Sequence, residues 1–306
     1  MSHDVLVPAS VANLGGGFDT LAVAVQLYLR VRIVDIRFDG AGRLTVVRST
    51  PPVRGRNAVE RGFEAIARRT GLNAPSVSVE VESDIPMAAG LGSSAAASVA
   101  GLRVFEHVTG SEISAGMLLA VATFLEGHAD NAAAALHGGL TSVVDREGEE
   151  PVALRWHWPD ELRLVLATPS AGLATSKARA ALPDAVPRKD AVFNLQRVLS
   201  LVHGLQYGAY DRLREATQDR LHQQARTALV PQLPDVLALE DPEILAAFLS
   251  GAGPSVALIA RRDFPRLERL LTSLYERAGA PATVRTLEVH QQTVRAREPM
   301  AVGKRI

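Results

Sequence analysis

The chain of 306 residues contains no cysteine, which excludes disulfides, thiolate metal sites and a cysteine nucleophile and leaves the cytoplasm as the expected setting. Lysine is almost missing too: Lys177, Lys189 and Lys304 are the only three, none of them in the N-terminal half. Neither charge sign is in excess, with 33 Lys and Arg against 33 Asp and Glu, so electrostatics gives no reason to expect a nucleic-acid or membrane partner. No apolar run reaches membrane-spanning length, and Met1 to Asp4 leads into an alternating segment rather than a signal peptide. Internal repeats and low-complexity stretches are absent as well. What remains is an ordinary globular composition, 47% hydrophobic and 22% charged, long enough for two lobes. The expected partner is a small molecule; a homodimer is left open.

Against this background the segment Ile85 to Ala97 stands out, because it joins a glycine turn to a helix start. Gly90 and Gly92 permit a sharp turn whose N–H groups face an anion. Ser93 or Ser94 can cap a helix running on through Phe105, with its positive dipole end over the loop. No lysine completes a G-x-x-x-x-G-K-[ST] loop, so positive charge must come from backbone dipoles and a metal ion. A second serine is more than a cap requires and is available to a cation. The plain alternative is a strand-to-helix turn rich in small residues; a magnesium nucleotide fits both details better.

Periodicity places strands over Val5–Val7, Leu21–Arg37, Leu44–Val47 (expected to pair with the preceding strand), Ser76–Glu82 and Leu140–Asp145. Helices are expected over Asn57–Thr70, capped by Gly71, and over Glu112–Leu125. A boundary is expected within Glu147–Pro159, giving domains 1–155 and 156–306. Beyond it come a strand at Leu162–Ala167, a short helix at Lys177–Leu182, and helices at Ala191–Leu205, Tyr210–Thr217 and Leu221–Leu229. Strands at Ala246–Leu249 and Val256–Ala260 flank a second glycine turn, Ser250–Ser255. With the helix Phe264–Arg277 and the strand Thr283–Val289 they make a β–helix–β–β–helix–β lobe.

Three further groups carry candidate chemistry. In Pro8 to Asp19, three consecutive glycines lie between Asn13 and Asp19, a backbone able to close around a ligand; Asp19 suits an ammonium or a hydroxyl. Glu126-Gly127-His128-Ala129-Asp130-Asn131 packs carboxylate, imidazole and amide close enough to serve a cation and a carboxylate together. The plain readings are a flexible hairpin and a surface turn. Arg179 and Arg226, taken singly, read as solvated charges and gain interest only from context.

Together these segments resemble the GHMP kinase superfamily over nearly the whole chain. Pro86 to Ala96 is similar to its P-x-x-x-G-L-G-S-S-A phosphate motif, and Ser250–Ser255 to its C-terminal glycine motif. Within the superfamily the homoserine kinase branch is the most similar, through Pro8-Ala9-Ser10, Asn13-Leu14-Gly15, Gly17-Phe18-Asp19, Glu126-Gly127-His128 and Asp130-Asn131. Gly16 and Ala129 depart from it, each standing where proline is common. The resemblance implies a two-lobed α+β fold, with an N-terminal lobe like ribosomal protein S5 domain 2 and a ferredoxin-like C-terminal lobe. It implies ATP and Mg2+ as cofactors. Ser94 and Glu126 would hold the metal, Pro86 and Gly90-Leu91-Gly92-Ser93 would wrap the phosphates, and Asn57 would lie near the adenine. Asn13, Asp19, His128, Asn131, Arg179 and Arg226 would hold L-homoserine, with Asp19 orienting its hydroxyl for phosphoryl transfer. An amino-acid zwitterion requires an anionic partner for its ammonium and cationic donors for its carboxylate, which Asp19 and the two arginines supply. Threonine, mevalonate or another small alcohol as acceptor, and a non-catalytic ligand-binding protein, are the alternatives.

Overall fold

A computed structural model of the chain describes residues 4–39, 41–53 and 55–294. Strand β1 (Asp4–Ala12) and the 17-residue β2 (Leu21–Arg37) form the spine of the first sheet. Leu21, Val23, Val25, Leu27, Leu29 and Val31 face the core along β2; Ala22 and Ala24 between them are buried as well, so the strand is covered on both faces at its start and alternates with one buried face from Gln26 onward. β1 takes one edge of β2, because it overlaps in register with both β4 (Ser76–Ser83) and β5 (Leu140–Val144). Those two share the opposite edge, one at each end of β2. Between them the chain returns after its last strand: Gln26 N–H donates to Glu288, His290 N–H donates to Ala24, and Val25 bridges Val289.

Several expectations are corrected here. β3 (Leu44–Thr50) pairs in parallel with β4 and makes no ladder with β2. The sheet does not stop at β5, since β6 (Val152–Trp156) continues it inside the expected boundary segment. The first strand runs on from Val7 to Ala12, so Pro8, Ala9 and Ser10 are buried strand rather than loop.

Helices cover this sheet. Asn57 starts α1 (Ala58–Thr70) with a reciprocal capping box to Glu60, and Gly71 ends it in the left-handed conformation. α2 (Ser93–Thr109) lies against α1 through a close approach of two glycines: a Cβ on Gly62 would sit 2.2 Å from the Ser98 carbonyl oxygen, and one on Gly101 would sit 2.1 Å from that of Val59. Phe63 and Phe105 meet edge to face at 5.3 Å beside this contact. α3 (Ala115–Glu126) leads to the short α4 (Asp130–His137), whose alanine run is buried.

The second sheet, in order β10-β7-β9-β8, holds β7 (Arg163–Pro169), β8 (Ile244–Leu249), β9 (Val256–Ala260) and β10 (Ala282–Leu287), all neighbours antiparallel. That is the expected ferredoxin-like arrangement. α5 (Thr175–Ala180), α6 (Arg188–Tyr207), α7 (Leu213–Ala216), α8 (Gln223–Arg226) and α9 (Leu233–Leu237) separate β7 from β8. The predicted helix at Leu221–Leu229 is thus reduced to one turn. α10 (Phe264–Arg277) precedes β10. Leu164 and Leu166 of β7 join the core under the first sheet, while Val165 and Ala167 face a second core against Leu267, Leu271 and Tyr275 of α10. Burial of both faces explains why β9 is apolar throughout. Among the described residues no helix is long and apolar enough to cross a membrane.

Candidate active site

The glycine turn between β4 and α2 is held from behind. Its five successive carbonyls from Ala88 to Gly92 accept from Leu173 N–H (2.8 Å), Ser255 N–H (3.3 Å), the Ser250 hydroxyl (2.7 Å), Ser10 N–H (3.1 Å) and Ala96 N–H (2.9 Å). The N–H groups from Gly90 to Ala95 donate to no other residue among those described. With the carbonyls pulled back and the amides unpaired, the loop is an anion cradle at the positive end of a 17-residue helix. Only glycine fits at two positions. Gly90 has φ +74°, and its Cβ would lie 2.3 Å from the Ser250 carbonyl oxygen; Gly92 has φ +69°, and its Cβ would lie 2.2 Å from Ser10 Oγ. The second glycine turn, Ser250–Ser255, is therefore the structural back of the first.

Neither Ser93 nor Ser94 caps α2. Gly92 occupies the N-cap in the left-handed conformation, and the helix has no side-chain cap. Both hydroxyls are thereby available, and Ser94 Oγ donates to Glu126 Oε1 at 3.0 Å. Ser98, one turn further along α2, donates to the same oxygen at 2.7 Å. Its spacing of four from Ser94 is the helical signal that could have disclosed it from sequence.

Across the cleft, the β1–β2 loop supplies Asn13 and Asp19, both at positive φ (73° and 52°) with Leu14 (44°) between them. This strain in non-glycine residues is confined by contacts: Asn13 Nδ2 donates to Gly251 O at 3.0 Å, and its Oδ1 accepts from Asp19 N–H at 3.1 Å. Asp19 forms a bidentate pair with Arg179 of α5 at 2.8 and 2.9 Å; the hydrogen bond to Asp19 holds the Arg179 pKa above its ordinary value. Asn131 accepts from the Ser10 hydroxyl at 2.8 Å. His128 Nδ1 lies 2.8 Å from Asp130 Oδ1. That hydrogen bond raises the imidazole pKa against the opposing effect of burial.

Arg226 of α8 is 2% exposed. Its guanidinium donates to Ala178 O (3.3 Å), Gly251 O (3.0 Å) and His222 Nδ1 (3.1 Å), all neutral acceptors. Burial lowers its pKa. The Phe18 ring, 5.3 Å from the guanidinium carbon, forms part of its setting. A buried cation whose near acceptors are neutral and which faces a cleft has its charge available to an anion.

One cleft, with about 770 Å³ of empty space including solvent at its mouth, gathers Asn13, Asp19, Gly90 to Ser94, Glu126, His128, Asn131, Arg179 and Arg226. Two sequence candidates stand apart. Pro86 lines a hollow on the reverse of the glycine loop with Leu27 and Leu166. Asn57 lines another beside β3, and its Oδ1 accepts from Val59 N–H as the cap of α1. Phe18, Asp130, Thr175 and Gly251 line the main cleft beyond the candidates drawn from sequence. Phe18, Asp130 and Gly251 lie inside motifs already singled out, although no local pattern marks Gly251 as facing Arg226.

The N-terminal domain of GHMP kinases matches residues 57–139. A homoserine kinase from Thermus thermophilus is 39% identical over 262 residues, covering 83% of this chain and 86% of the relative. Among solved structures, a homoserine kinase from Cytophaga hutchinsonii superposes with a TM-score of 0.83 at 27% identity, over 95% of this chain and 96% of that one. A galactokinase from Lactococcus lactis shares the fold with a TM-score of 0.71 at 13% identity, over 95% and 94%. With such identity along most of both chains, the protein belongs to the GHMP kinase family, on the branch of these homoserine kinases, and is an ATP-dependent kinase.

Proposed function

We propose that the chain transfers the γ-phosphoryl group of ATP to the side-chain hydroxyl of L-homoserine, giving O-phospho-L-homoserine. The observation that carries this reading is the pairing of two unlike ends in one cleft: unpaired amides over a helix N-terminus, and a buried Arg226 without a carboxylate beside an Asp19–Arg179 pair. The first end suits phosphates. The second suits an amino acid, since a carboxylate complements Arg226, and a zwitterion that parts the Asp19–Arg179 pair replaces it with an ammonium on Asp19 and a carboxylate on Arg179.

The donor set at the foot of α2 fits Mg2+. Ser94 Oγ and Glu126 Oε1 are hard oxygen donors already within 3.0 Å of each other, and the described residues hold no cluster of three or more His, Cys, Asp or Glu that could bind a metal alone. Mg2+ prefers one or two protein oxygens together with phosphate and water. Bound there, it would neutralise charge on the transferring phosphoryl group.

The remaining steps belong to the chain. Amides of Gly90 to Ser94 hold the phosphates where charge develops, and the loop does not reorganise because its carbonyls are tied down. Asn13 and Asp19 orient the acceptor. Transfer through a loose transition state relies on such positioning more than on a strong base, which agrees with the absence of lysine from the N-terminal half. His128, with Nδ1 committed to Asp130, offers Nε2 to the substrate. For the adenine we retain Asn57, whose Nδ2 is the amide atom left for a base once Oδ1 caps α1.

The test is Mg2+-dependent ADP release measured with L-homoserine, L-threonine, mevalonate and galactose. Preference for L-homoserine is expected. Release no faster than with water for all four refutes the acceptor assignment, and preference for threonine or mevalonate redirects it.

A further inference from the structure

Behind the cleft wall a buried histidine joins the two segments that carry the substrate-end groups. His222, immediately before α8, is fully buried. Its Nε2 lies 2.9 Å from the Gly15 carbonyl oxygen, and its Nδ1 lies 3.1 Å from Nη1 of Arg226. A guanidinium only donates and a carbonyl only accepts, so one state of the ring satisfies both: neutral imidazole, hydrogen on Nε2, bare Nδ1. Burial favours the same state, pushing the His222 pKa below its ordinary value despite the Asp219 carboxylate 3.7 Å from Nε2. The ring also stacks on Phe18 at 5.2 Å. Gly15 admits no side chain, because at φ +78° a Cβ there would sit 2.0 Å from the Thr217 carbonyl oxygen.

A long arginine side chain in a cleft wall could be fixed by a carboxylate, but that partner would cancel the charge the ligand needs. A neutral acceptor fixes it and leaves the charge available. We propose that His222 is a positioning residue that locks the Arg226 guanidinium toward a substrate carboxylate and ties it, through Gly15, to the loop bearing Asn13 and Asp19. This rests on the reading of the cleft as an amino-acid site. Asp219 supports the arrangement from below: its Oδ2 accepts from the N–H groups of His222 (2.9 Å) and Gln223 (2.7 Å), setting the start of α8.

Three variants separate the two bonds. His222→Asn keeps an acceptor near Nδ1, His222→Gln keeps a donor near Nε2, and His222→Phe keeps only the ring. Losing a hydrogen bond to a charged group corresponds to about tenfold or more, so Gln and Phe are expected to raise KM for L-homoserine by about that factor, while Asn retains more of the affinity. KM for ATP and kcat should change far less, the pattern of lost ground-state binding. A merely structural role would lower the yield of active enzyme and leave KM for L-homoserine unchanged. Equal impairment by Asn and Gln, or parallel losses in both KM values, overturns the proposal. If the Phe variant fails to fold, the Asn and Gln pair decides. Independently of any substrate, long-range 1H–15N NMR should show His222 as the neutral Nε2–H tautomer, with its Nδ1 signal shifting in Arg226→Met. A charged ring or an Nδ1–H tautomer refutes the lock. Should the expected NMR pattern accompany no turnover of L-homoserine by the wild-type protein, the acceptor assignment fails and the lock stands.

Discussion

Replacing Gly92 by alanine tests the cradle most directly, because the structure separates two contributions and offers a control for one of them. Gly71 and Gly92 share a left-handed backbone, φ +66° and +69°, but a Cβ on Gly71 meets nothing within 4 Å. Gly71→Ala therefore isolates conformational strain, about 1–2 kcal/mol, reduced by about 0.4–1 kcal/mol from restricting the unfolded chain. At Gly92 the new methyl would also approach Ser10 Oγ to 2.2 Å and Asn131 Oδ1 to 2.9 Å. It must part the buried 2.8 Å bond between them, at about 1–3 kcal/mol. The sum is roughly 2–4 kcal/mol for Gly92→Ala against about 1 kcal/mol for the control, a difference of several degrees in Tm. Chemical denaturation gives the free energies, and steady-state kinetics give the functional counterpart. ATP affinity should fall by about tenfold or more in Gly92→Ala, as displaced amides no longer converge on phosphate, and stay unchanged in Gly71→Ala. If the two variants match in stability and in KM for ATP, the cradle argument is wrong.

Glu126→Gln keeps an acceptor for Ser94 and Ser98 but removes the charge, so Tm should hold while kcat at saturating Mg2+ falls by about a hundredfold or more; normal turnover at limiting Mg2+ would remove Glu126 from the metal site. Arg226→Met should raise KM for L-homoserine by about 10–100-fold and lower stability by about 1–3 kcal/mol, since Ala178 O, Gly251 O and His222 Nδ1 lose their buried donor; denaturation and kinetics on one preparation check both. Asp130 raises the His128 pKa above the ordinary 6.5, so this pair stabilises the fold fully below about pH 6.5 and loses its effect as pH rises through the folded value. NMR titration should find that value lowered in Asp130→Asn, and an unchanged titration refutes the assignment.

The parts of the site legible in the sequence were those whose chemistry is local. Gly90 to Ser94, the glycines before Asp19, and Glu126 to Asn131 each crowd their functional groups into a few residues, so spacing alone marks them. The same locality misled at the helix start. Two serines suggest a cap, yet the close approach of Ser10 and Asn131 demands a glycine at Gly92 and pushes the serines to the first helical positions. Pairing between distant segments left no local trace: nothing in Leu44–Val47 distinguishes β4 from β2 as its neighbour. β6 escaped notice as a half-exposed strand in a segment read as a boundary, and α4 because a fully buried alanine run has no amphipathic period.

His222 marks the deeper limit. Its spacing from Arg226 is that of one helical turn, but what makes it functional is a carbonyl 207 residues away in sequence. The wall that presents Arg226 is assembled from Gly15 and Phe18 of the β1–β2 loop, Ala178 of α5, His222 and Gly251, four separate parts of the chain. A cation kept buried with no carboxylate in hydrogen-bond reach requires acceptors that are individually weak and collectively fixed. Such acceptors are backbone carbonyls and a neutral ring, residue types that composition and motif cannot single out. The phosphate end is written in one loop, so it survives as a motif; the acceptor end is written in the fold. Changes in the residues behind Arg226 should therefore alter acceptor affinity while leaving ATP binding in place, a separation that the His222 variants measure directly.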